Sequence, residues 1–68
     1  MRIAELEKGD WVINFKMPGA RPWYVCNPNY NGMTIIRRGP KIGKITLLMP
    51  GQLRAFQKYE LRQEQKKG

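Results

Sequence analysis

Turn residues return along this chain at short, regular intervals. Gly9-Asp10, Pro18-Gly19, Pro28 with Asn31-Gly32, Gly39-Pro40 and Pro50-Gly51 punctuate it every 8 to 13 residues. Between them lie short β-branched and aromatic runs: Trp11 to Phe15, Trp23 to Cys26, Met33 to Ile36 and Lys44 to Leu48. That rhythm is the pattern of a small all-β domain. Asn31-Gly32 predicts a two-residue type I′ turn, because both residues tolerate positive φ, and so pairs the second run with the third. Alternation puts Trp11, Ile13 and Phe15 on one face of the first strand. It puts Ile45 and Leu47 on one face of the fourth, opposite Lys44 and Thr46. A chain of 68 residues has a small core, so the large rings of Trp11, Phe15 and Phe56 are expected inside it.

The stretch from Gln52 to Lys67 carries two patterns at once. Its residue types favour helix, yet Leu53, Ala55, Tyr59 and Leu61 alternate as in a strand. A final strand near Leu53 to Gln57, followed by a turn of helix or a disordered tail, reconciles them. One domain over residues 1–61 and a flexible polar tail over 62–68 follow.

The opening Leu6-Glu7-Lys8-Gly9-Asp10-Trp11-Val12 resembles the "φ-x-x-G-D-x-V" start of SH3-like small barrels, including KOW and Tudor-like modules. The longer loop Lys16 to Arg21 and the following Trp23-Tyr24-Val25 are similar to the first long loop and second strand of such domains. The resemblance spans residues 6 to 61 and implies a small five-stranded SH3-like barrel with a short helical or disordered C-terminal tail. An OB-fold ranks second, since it needs longer strands and more chain. Such a likeness concerns fold, and fold does not fix function.

Most enzyme chemistry lacks its parts. The chain has no His and no Ser, and its single Cys excludes an internal disulfide and any multi-cysteine zinc site. Cys26 has no His to activate it and stands in an apolar run, where it is expected as a small core residue. The reading is therefore a non-enzyme with no cofactor and no metal. A spanning helix needs about 20 apolar residues, a run this sequence does not contain, and Glu5 and Glu7 stand where a signal peptide would place its apolar core. A soluble protein of a reducing cytoplasm is expected.

The charges carry the functional signal. The formal net charge is +8, and its distribution is uneven. The five acids are Glu5, Glu7, Asp10, Glu60 and Glu64, so the interval from Trp11 to Tyr59 has none. That interval holds Lys16, Arg21, Arg37, Arg38, Lys41, Lys44, Arg54 and Lys58. A body so charged repels itself, and a negatively charged partner accounts for it.

Arg37-Arg38-Gly39-Pro40-Lys41-Ile42-Gly43-Lys44 gathers four cations around a turn between two expected strands. Glycines admit a phosphate close to the backbone, and arginine grips it in a bidentate fork. Arg37 and Arg38 converge only if the strand ends or bulges at Gly39. The structural alternative is a solvated loop that keeps a sheet edge from aggregating. Arg54, Lys58, Arg62 and Lys66, spaced by four, form a second basic set. Of these, Arg54 and Lys58 are read as binding residues and Lys66 as a solubilising one. Of Trp23 and Tyr24, neighbours in a strand, one should face outward; Tyr30, in a polar loop, is the ring expected to meet solvent.

Three functions fit. The first is a nucleic-acid-binding module, for DNA or RNA, that contacts phosphates through Arg37, Arg38, Lys41, Lys44, Arg54 and Lys58 and stacks bases on Trp23, Tyr24 or Tyr30. The alternative is a protein-binding adaptor docking on an acidic partner such as a transcription or replication enzyme. The third is a structural subunit of a larger particle. Rings exposed beside cations favour nucleic acid; a contiguous apolar patch favours protein.

Overall fold

The computed structural model describes residues 1–60; the expected tail, 62–68, with Arg62 and Lys66, lies outside them. Five strands run β1 Trp11–Asn14, β2 Trp23–Tyr30, β3 Met33–Arg37, β4 Thr46–Leu48 and β5 Phe56–Lys58. A 3-10 turn over Ile3–Glu5 precedes them, and one helical turn, α1 Pro50–Leu53, separates β4 from β5. All pairings are antiparallel, in the order β4-β3-β2-β1-β5. The fold is all-β, and the last strand returns to pair with the first.

The Gly9-Asp10 opening has a mechanical reason. Gly9 takes φ 97°, a left-handed conformation that glycine adopts without strain. The turn is closed by Asp10, whose Oδ2 accepts the Glu7 N–H at 2.9 Å. It is then latched to β2, since Gly9 N–H donates to the Val25 carbonyl and Val25 N–H to the Asp10 carbonyl, both at 2.9 Å. The hairpin follows its sequence signal too: Asn31 and Gly32 take φ 52° and 82°, and Tyr30 pairs with Met33. Strand β2 extends to Tyr30, past the expected end at Cys26. The β2–β3 register shifts between Val25 and Asn27 and again between Asn27 and Tyr30. These irregularities let Pro28, which has no N–H, sit in a strand.

Leu6, Val12, Val25, Ile36, Leu48, Leu53 and Phe56 form the core. Complete burial of such a side chain is worth roughly 1.5–3 kcal/mol. Thr34 is also fully buried, and its Oγ1 donates to the Pro28 carbonyl at 3.0 Å.

The expected inward face of β1 is reversed. In β1 the buried residue is Val12, while Trp11 and Ile13 are half-buried and Phe15, just past the strand, is 51% exposed. Trp11 lies instead against Tyr24, its cross-strand partner, edge to face with ring centroids 5.5 Å apart. In β4 Ile45 and Leu47 share a face as expected, and that face is the outer one, with Leu48 the inward residue. Cys26 is half-buried rather than core, because it stands at the first register shift. At the C-terminal side a helical turn precedes the last strand, and the turn or tail expected to follow that strand lies outside the described residues. Pro50 starts the turn, the Gln52 Oε1 accepts the Met49 N–H at 2.9 Å, and Leu53 is buried from that turn. The strand begins only at Phe56.

Candidate functional site

Strand direction decides where the charges meet. The loop 15–22 joins the end of β1 to the start of β2, and the loop 38–45 joins the end of β3 to the start of β4. Antiparallel pairing of these strands brings both loops to one end of the sheet. Lys16, Arg21, Arg38, Lys41 and Lys44 lie in the loops and Arg37 closes β3, so six cations share one pole. Glu7 and Asp10 precede β1 and Glu60 follows β5, at the other end of those two strands. Among the described residues, an interval of sequence without acids thus becomes two neighbouring loops without acids.

The two adjacent arginines engage different partners. The Arg37 guanidinium straps the loop 38–45: Nε and Nη2 donate to the Gly43 carbonyl at 3.3 and 3.1 Å, and Nη1 to the Pro40 carbonyl at 3.5 Å. Gly43, at φ 85°, lets the loop fold back, and a Cβ there would lie 3.3 Å from the Arg38 Cβ. Arg38 turns the other way. Its guanidinium carbon lies 3.6 Å from the centroid of the Trp23 ring, and Nη1 donates to the carbonyls of Arg21 and Pro22 at 3.4 and 3.5 Å. Although β3 ends at Arg37, the two arginine side chains do not converge. Arg38 keeps Nε and Nη2 without a carbonyl partner among the described residues, so a preoriented cation with unused donors faces outward.

Beside Arg38 opens a groove of about 250 Å³, with Arg21, Met17, Trp23 and Thr46 at its walls and Ile36, Leu48 and Phe56 beneath. Its apolar floor and cationic rim suit a planar or amphipathic ligand carrying negative charge. The stack on the indole holds the Arg38 guanidinium in place.

The nine residues expected at the site divide among several places. Arg37, Arg38, Lys41, Lys44 and Trp23 belong to the pole. Tyr24 is on the outer face of the sheet, paired across the strands with both Trp11 and Arg37. Tyr30 is exposed, as expected of it, but lies at the hairpin end of β2. Arg54 opens on a separate groove with Arg2, Met1 and Pro50. Lys58 reaches Asp10, Nζ to Oδ2 3.6 Å, and is partly neutralised there. The site list drawn from sequence omits Lys16 and Arg21. Their signal was the long loop itself, which carries two cations and no acid. No helix among the described residues is long and apolar enough to cross a membrane. Compared with protein-family models, with curated proteins and with solved structures, the chain matches none.

Proposed function

We propose that this chain is an SH3-like barrel that binds nucleic acid through its cationic pole. The barrel reading is supported by the five-strand meander whose last strand returns to the first, and by the latched Gly9-Asp10 turn. The binding reading rests on one observation above the others: two loops without an acid and the end of β3 bring six cations to one end of the sheet. Phosphates neutralised there release condensed counterions, which supplies affinity without sequence readout. The Arg38 guanidinium, laid flat on Trp23 at the groove, offers its own plane for a base to stack on, as single strands use. The protein is therefore expected to prefer single-stranded DNA or RNA to duplex.

Labelled single-stranded DNA, duplex DNA and RNA titrated across a salt series test this. If about five phosphates are contacted, log affinity for a single strand should fall with log salt at a slope near −3.5. Arg38→Ala should flatten that slope and weaken binding. Failure of all three nucleic acids to bind at low salt would remove the proposal. A second reading, docking on an acidic protein, is favoured by a different observation: the apolar side chains that β4 exposes.

A further inference from the structure

Strand β4 has features that the nucleic-acid reading does not use. It ends the sheet order, and among the described residues no strand pairs with its far edge. Toward β3 its register is fixed, Thr34 with Leu48, Ile35 with Leu47 and Ile36 with Thr46. An edge of this kind presents backbone N–H and C=O groups to any strand that can align with it, and proteins usually blunt it with charge. Here Lys44 and Pro50 bracket the strand, but Ile45 to Met49 contains no charged residue. The alternate residues Ile45, Leu47 and Met49 are 58%, 45% and 53% exposed. Ile35, the cross-strand partner of Leu47, widens this apolar outer stripe. The inward side of the same strand borders the groove: Thr46 lines it, with Arg21 and Arg38 along the rim.

A strand laid along this edge would present two different faces. Its inward side chains would enter the groove toward Arg21 and Arg38, and its outward side chains would lie beside Leu47. Charge decides what fills the site. A second copy would add its own Ile45 to Met49, which holds no acid for Arg21 and Arg38, and would bring a further net charge of +8, which repels. Nucleic acid has no amide ladder to match the edge and no alternating apolar groups to match the stripe. We propose that the open edge of β4 and the groove beside it dock an extended acidic segment of a partner protein, added as a further strand, with acidic side chains toward Arg21 and Arg38 and apolar ones against Leu47. Backbone pairing supplies the register and the alternating side chains supply the selectivity.

The test uses the full chain and three labelled probes: an octapeptide alternating Glu and Val, an octapeptide of the same composition with its Glu and Val in two blocks, and a single-stranded DNA. The alternating peptide should bind about tenfold more tightly than the block peptide. Its binding should slow amide exchange at Ile45 to Met49. Leu47→Asn, at an exposed position that leaves the core intact, should weaken the alternating peptide about tenfold and leave DNA affinity unchanged. Equal binding of the two peptides, or unchanged exchange in β4 at saturation, overturns the inference, because attraction of charge alone would then explain the contact. Binding of DNA without either peptide overturns it as well and leaves the nucleic-acid reading standing. Binding of the alternating peptide without DNA does the reverse.

Discussion

Arg37 and Arg38 are neighbours with the same charge, and their surroundings give them different work. Arg37 spends three of its nitrogens on the carbonyls of Pro40 and Gly43, so it shapes the loop that carries Lys41 and Lys44. A lysine there would keep the charge but lose the planar fork. Arg37→Lys is therefore expected to lower unfolding free energy by about 1 kcal/mol, with the salt slope of nucleic-acid binding preserved. Urea denaturation and a salt titration on the same variant check both halves, and a variant as stable as the parent would show that the strap contributes nothing. Arg38 should behave in the opposite way. Its stack on Trp23 is worth about 0.5–1 kcal/mol at an exposed position, so Arg38→Ala costs little stability. The binding loss should be the larger effect, with a change in Trp23 fluorescence from loss of the overlying guanidinium.

At the scale of elements, the hairpin is the part most governed by local chemistry. Gly32 sits at φ 82° with open space where a Cβ would go, so the penalty for Ala is the backbone's alone. Gly32→Ala should cost about 1–2 kcal/mol and shift the urea midpoint without changing its slope; an unchanged midpoint would mean that the turn is not held in the I′ form. This turn could be read from Asn31-Gly32 because positive φ is a property of the two residues themselves. The side of β1 that faces inward was a different kind of question. Trp11, Ile13 and Phe15 alternate as well as Val12 and Asn14 do, and hydrophobicity chose the wrong set. Inside so few strands there is room for Val12 between Trp23 and Lys58, its two register partners, while the larger Trp11 finds its contact on the outer face at Tyr24. In β4 register decides instead: Leu48 pairs with the buried Thr34 and faces inward, while Leu47 pairs with Ile35 and stays outside. The basic loop was legible as a run of cations. Its division into a strap and a stacked arginine was not, since the Pro40 and Gly43 carbonyls and the Trp23 ring become partners only after the chain folds.

At the scale of the whole molecule, the cationic pole is a strain that folding must overcome. Six cations held within two loops and a strand end repel one another, and solvent and salt screen that repulsion only in part. Such a cost is tolerated where function needs the charge, and removing it should then stabilise the fold while harming binding. Lys41 is the position to test, because it is exposed at the tip of the 38–45 loop, between Gly39 and Ile42, which bridge to each other. Lys41→Glu replaces a like charge by an opposite one among Arg37, Arg38 and Lys44. At about 0.5 kcal/mol for a surface charge effect, the midpoint of thermal unfolding at low salt should rise by about 2–4 °C in a domain of this size. In concentrated salt the gain should vanish, since screening removes the repulsion in both proteins. Nucleic-acid affinity at low salt should fall by about tenfold, as one phosphate contact becomes a repulsion. The two readouts together separate the alternatives. A rise in stability with unchanged binding would mark the loop as a solvated edge of the sheet. A fall in stability at low salt would show that the six cations are spaced widely enough not to repel, and the argument for a polyanionic partner would lose its physical basis.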